Sequence, residues 1–168
     1  EGGGILFAVV DDGPAAPTAW PMSYLLTTFD RRHTHYLVLR GGELLLVTTD
    51  KATAADETTE GEKVVSTTGI CIEKVGLGRS KLVTLDGIGE DYALFLGYGS
   101  PICLPVKEYP MLRRNCAYLA DDSEQHFPLI TRGDVGIWEF ESKSMSRLED
   151  LHPWLDNQPP IWITPSLY

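Results

Sequence analysis

The chain holds 168 residues, 43% of them hydrophobic and 23% charged, proportions that fit one globular domain burying roughly two-thirds of its unfolded surface. Twenty-four acidic residues against fourteen basic ones leave a formal charge of −10. A surface of that sign repels phosphate backbones and anionic headgroups, so neither nucleic-acid binding nor membrane docking is expected.

Glu1 is followed by Gly2, Gly3 and Gly4 with no methionine before them, which reads as a processed, tagged or partial start. The apolar run "GILFAVV" behind it is shorter than the roughly eighteen residues that span a bilayer, and it lacks the basic flank of a signal peptide. Its β-branched and aromatic content makes residues 5–10 the first strand candidate. Further short strands, rich in Val, Ile, Leu, Tyr, Phe and Trp, are expected at 35–40, 43–48, 69–75, 81–85, 92–96, 116–119, 135–140 and 161–164. Gly41-Gly42, between "YLVLR" and "ELLLV", supplies the positive φ of a two-residue hairpin.

Residues 50–63, "DKATAADETTEGEK", carry five acids and two lysines and no large apolar side chain. Such a composition does not offset the entropy of ordering and predicts a mobile acidic hairpin insertion. "LDGIGED" at 85–91 is a Gly/Asp connector, while Asp121-Asp122 and residues 142–144 are polar turns. No window of about eleven residues holds a helical stripe, and only a turn or two around 146–151 is expected before Pro153.

A coarse repeat emerges from these strands. "HYLVLR / GGELLLV / GICIEKV / KLVTLD" is followed by "DYALFLG / NCAYLAD / DVGIWEF / KSMSRL", four short strands and then four more. Consecutive antiparallel strands repeated this way point to an all-β chain of four-stranded antiparallel blades, a partial β-propeller. Two units and an N-terminal portion, about two and a half blades, make residues 1–168 one propeller portion. Propellers close with about four to eight blades, so the expectation is the C-terminal part of a longer polypeptide, with a smaller β-sandwich as the other possibility.

Chemistry is sparse. His33 and His35 form an H-x-H that puts both rings on one face of a strand, but no third ligand has a recognisable spacing, and Arg31 and Arg32 stand beside them. "GLGRSK" at 76–81 lacks the spacing of a phosphate loop, and "DGIGED" lacks the alternating ligands of a calcium loop. Glu90/Asp91 and Asp121/Asp122 are adjacent, which on strands sends their carboxylates to opposite faces. Cys71, Cys103 and Cys116 form no CxxC pair. Cys116 lies in an apolar strand and reads as a packed thiol rather than a nucleophile, and reduced thiols within a cell, in cytoplasm, nucleus or an organelle, are the simplest reading. Trp138 and Trp162 are expected to anchor sheet packing, whereas Trp20 and Trp154 lie in Pro-rich surroundings. No catalytic residue, cofactor site or metal site is assigned, and no enzyme is expected.

Several blocks carry a resemblance. "DYALFLGYGSPICLPVKEYPMLRRNCAYLADD", "GDVGIWEFESKSMSRL" and "WLDNQPPIWITPSL", in that order, resemble the plant KIB-type β-propeller family, a domain of unknown function attached to F-box proteins. The likeness spans about residues 36–168 and rests on the "ALFLG…S" strand, the "N-C-x-Y" strand with its following "DD", the "D-x-G-[IV]-[WF]-[ED]-[FL]" strand and the terminal "PPIW-[IVF]-TPSL". It implies a propeller that recruits substrate for a cullin ubiquitin ligase, with a Skp-type adaptor docking only through an upstream F-box that this sequence does not contain. The family has no established catalytic residues to carry over.

Protein partners are therefore the expected ligands. The alternative is an F-box-less binding or assembly subunit of a larger complex; a propeller hydrolase would need converging acids, a histidine or a metal. The candidate surfaces are the 50–63 insertion, the 101–114 connector and the Pro-rich tail around Trp154. Within them Tyr109, Met111, Arg113, Arg114 and Trp154 are the protein-binding candidates, because aromatic residues, Met and Arg are the types enriched at interface anchors. The same connector could instead simply cap a blade.

Overall fold

The computed structural model describes residues 7–10, 18–21, 33–55, 63–76, 82–97, 99–120 and 134–147. Every regular element among them is a strand. In chain order these are β1 (Phe7–Val10), β2 (Thr18–Pro21), β3 (His33–Arg40), β4 (Glu43–Ala55), β5 (Lys63–Val75), β6 (Leu82–Leu85), β7 (Tyr92–Leu96), β8 (Ile102–Pro105), β9 (Cys116–Leu119), β10 (Gly136–Glu139) and β11 (Ser144–Arg147). β1 and β2 form an antiparallel pair of their own; β2, in the Pro-rich segment around Trp20, was not foreseen. The strand expected at 161–164 and the turn at Asp121-Asp122 lie outside the described residues, as do Trp154 and Trp162.

The first blade is a meander in the order β3-β4-β5-β6, each neighbour antiparallel. Its opening hairpin is the expected one. Gly41 (φ 54°) and Gly42 (φ 85°) both occupy the left-handed region, the two-residue turn whose twist matches the flanking strands, with Arg40 paired to Glu43 on either side. β4 and β5 run further than expected. Their ladder continues past Asp50 through Ala55↔Lys63, so the arms of the acidic hairpin are paired strand and only the tip, 56–62, lies outside the described residues. Composition underestimated these arms because ladder hydrogen bonds satisfy the backbone whatever the side chains are.

The register slips once, between Asp50 and Lys51: Asp50 faces Gly69 while Lys51 faces Thr67, leaving Thr68 as the extra residue of a β-bulge. Across the slip, the Thr68 hydroxyl donates to the Asp50 carbonyl (3.3 Å).

The second unit contains the expected strands and one more. Its sheet has five strands in the order β11-β10-β9-β7-β8. β8 arises within "SPICLPV", and β7 pairs with it antiparallel on one side and with β9 in parallel on the other. The helical turn expected around 146–151 is not formed at Ser146 and Arg147, which belong to β11; cross-strand pairing with Gly136 and Ile137 overrides the weak local preference.

The core lies between the two sheets. Val38, Leu45, Val47 and Ile72 of the first meet Leu94, Leu96, Ala117, Leu119, Trp138 and Phe140 of the second, with Ile88 of the inter-sheet connector among them. The period-2 alternation of strands explains the selection: Ala117 and Leu119 face inward, Cys116 and Tyr118 outward. Each fully buried aliphatic side chain contributes about 1.5–3 kcal/mol. The Trp138 anchor expected from sequence is in place.

Two polar devices join the sheets. The Arg40 guanidinium donates to the Ile88 carbonyl (2.8 Å), pairs with Glu43 and lies 5.9 Å from the centre of the Tyr92 ring. Asp134, 2% exposed, accepts a hydrogen bond from the Thr67 amide at the bulge.

Candidate functional site

The parallel β7–β9 pair dictates the site. A hairpin joins antiparallel strands, but parallel neighbours need a crossover. Here the chain leaves β8 and passes beneath the start of β7 as residues 106–115 before entering β9.

That connector is pinned along its length. The Val106 amide donates to the Asp91 carbonyl (2.9 Å), Tyr109 to Val106 (3.2 Å), Leu112 to Tyr109 (2.9 Å) and Asn115 to Tyr92 (3.0 Å). The Arg113 amide donates to Tyr118 Oη (2.9 Å), on the sheet face away from the core.

Asn115 closes the arrangement. It sits in the left-handed region (φ 49°), which Asn tolerates better than most side chains. Its Oδ1 accepts from the Gly89 amide (3.2 Å) and its carbonyl from the Phe140 amide (3.4 Å). A β-carbon on Gly87 would collide with Asn115 Oδ1 and crowd Phe140 Cβ, so the 86–91 loop approaches this closely only with glycine there. One asparagine thereby ties together the 86–91 loop, the 106–115 connector and the 140–143 turn. The Gly41-Gly42 hairpin reaches the same end, where a β-carbon on Gly41 would lie 2.7 Å from Tyr92 Oη.

Between these loops lies a cleft of about 380 Å³ lined by Glu90, Leu112, Arg113, Arg114, Asn115, Cys116, Glu139 and Glu141. Arg113 pairs with Glu139 (3.2 Å), and Glu139 also accepts from the Ser142 hydroxyl (3.3 Å). Glu90, Arg114 and Glu141 form no ion pair among the described residues. Burial, then the Glu139 carboxylate, push the Cys116 thiol up, against the pull of Arg113. A protonated, buried thiol is a packing group, as the sequence suggested. On the same connector, outside the lining, Met111 is 85% exposed and Tyr109 42%.

Four of the five candidates, Tyr109, Met111, Arg113 and Arg114, thus share one connector, and the two arginines line its cleft. Trp154 lies outside the described residues. The connector also caps the end of a blade, so the bland expectation and the functional one fall on the same residues. Sequence reading missed the partners: Glu90 was read only as one of two adjacent acids, Glu139 and Glu141 were not singled out, and Asn115 was only part of a recognised block. An Asn directly before a strand, with Gly87 and Gly89 upstream, was the available signal for a left-handed hub.

Elsewhere the H-x-H pair has both rings on one face, as expected, with centroids 6.4 Å apart. His33 pairs with Asp50 (3.0 Å), and His35 Nδ1 is 3.0 Å from Thr48 Oγ1. Burial, then His33, push the His35 imidazole down. Among the described residues no three His, Cys, Asp or Glu side chains are placed to hold a metal ion. Cys103 is pushed up to about 11 by burial, and all three cysteines are free.

Stacked sheets of short, mostly antiparallel strands, with connecting loops gathered at one end around a cleft, are the blades of a β-propeller, a fold that commonly mediates protein–protein interaction. Compared with known protein families, residues 5–139 match the KIB1-4 beta-propeller; the match takes in most of the chain, which belongs to that family. No curated protein matches the chain, and neither does any solved structure.

Proposed function

We propose that this propeller is a non-catalytic protein-binding module that recruits a substrate protein to an F-box ubiquitin ligase, using the loop end built around the 106–115 connector. The observation that carries the reading is the contrast within that connector. Its backbone is hydrogen-bonded at Val106, Tyr109, Leu112, Arg113 and Asn115, yet it holds Met111 and Tyr109 out in solvent. Exposing large apolar side chains on a pinned backbone gains nothing for folding. It pre-organises anchors and lowers the entropic cost of binding.

The test is affinity purification of the full-length protein from its source, wild type beside Tyr109→Ser/Met111→Ser, with partners identified by mass spectrometry. Recovery of a Skp-type adaptor and cullin with both forms, and loss of a further protein only with the variant, is the expected result. Recovery of a different assembly without adaptor would make the chain an F-box-less assembly subunit. An unchanged partner set in the variant would overturn the role of the connector.

A further inference from the structure

We infer that the cleft beneath the connector takes an extended protein segment that carries a lysine or arginine next to an apolar side chain. This rests on the protein-binding reading above and narrows it to a chemistry. The cleft, at about 380 Å³, is at the small end of ligand pockets and accommodates one or two side chains rather than a folded surface.

Its charges decide the sign. Arg113 and Glu139 neutralise each other at 3.2 Å, which leaves the carboxylates of Glu90 and Glu141 against the single guanidinium of Arg114. The protonated Cys116 and the Leu112 side chain add no charge. A cationic side chain gains from both carboxylates, which have no ion-pair partner among the described residues, whereas an acidic one is repelled by them, within the field of a chain of net charge −10.

Arg114 does not cancel this preference. Its N–H donors can bind the carbonyl groups of an extended backbone. The exposed residues of the connector just before its lining segment supply the apolar half. Met111, unbranched and polarisable, adapts to differing aliphatic or aromatic partners, and Tyr109 offers rigid contact area with few rotamers to lose.

The experiment is selection of a displayed random-peptide library on the immobilised full chain, followed by fluorescence anisotropy with the selected peptides. Enrichment of Lys or Arg adjacent to Met, Leu or Phe is expected, with affinity falling about tenfold in Glu90→Gln/Glu141→Gln and again in Met111→Ser. All three positions are exposed, so the variants retain the fold. Affinity should also fall with salt for wild type and much less for the double Gln variant. Selected peptides that are acidic and depend on Arg114 would overturn the charge assignment while leaving protein binding intact. Peptides that bind equally well to Tyr109→Ser/Met111→Ser, together with an unchanged partner set for that variant, would sink both readings.

Discussion

Asp134 offers the sharpest test of how the two blades are joined. It precedes β10 in the second sheet, and its carboxylate accepts from the Thr67 amide in the first. The bulge at Asp50/Lys51 leaves the ladder irregular there, so this carboxylate supplies a partner from the neighbouring sheet. Lys51, 8% exposed, lines the same small cavity with Thr49, Thr67 and Asp134. Asp134→Ala removes a charge-assisted bond of about 1.5–3 kcal/mol and leaves a buried amide without its acceptor. Asp134→Asn retains an acceptor oxygen but not the charge and should lose about half as much, since neutral bonds are roughly half as strong. Urea unfolding followed by tryptophan fluorescence and circular dichroism gives the free energies, and amide exchange at Thr67 reports the bond itself. A loss below about 1 kcal/mol for Asp134→Ala, with Thr67 still protected, would refute the inter-blade clamp.

Three further outcomes are expected. Asn115→Ala should destabilise by about 2–4 kcal/mol, from left-handed strain and the lost bond to Gly89, while Asn115→Gly should recover the backbone share; thermal melts of the three forms would rank them. The Lys74 ammonium and then the Arg40 guanidinium hold the Glu43 carboxyl down from 4.5 to about 2. Because the folded value lies below the unfolded one, this stabilisation is present above pH 4.5 and is lost as pH falls toward 2, so melting points across that window should drop more for wild type than for Glu43→Gln. Tyr109→Ser and Met111→Ser, being solvent-exposed, should leave unfolding free energy within about 0.5 kcal/mol of wild type, and a larger loss would mean the connector's side chains serve folding.

Much of the fold was legible in the sequence because it depends on local pattern. Gly41-Gly42 specifies its hairpin through positive φ, which few other residues adopt without strain. The apolar runs in "HYLVLR", "ELLLV" and "ALFLG" mark the strands, whereas the choice of Val38, Leu45, Val47, Leu94 and Leu96 for the inter-sheet core follows from which face each sheet turns to the other. Tyr109, Met111, Arg113 and Arg114 could be singled out from residue type and their place between strands. Local pattern also misled: the polarity of 50–55 concealed strand that is held by its ladder, and "SPICLPV" concealed β8.

What only the tertiary structure decided are the relations between distant segments. No periodicity reports that β7 pairs in parallel with β9, yet that pairing is why residues 106–115 must cross beneath β7 and why Glu90, Arg114 and Glu141 share a cleft. Nor does the sequence say that the carboxylate of Asp134 meets the amide of Thr67, 67 positions away. Side-chain alternation is written into consecutive residues, whereas register and strand order arise from burying both sheets at once, and the site at the loop end is a product of that second, non-local choice.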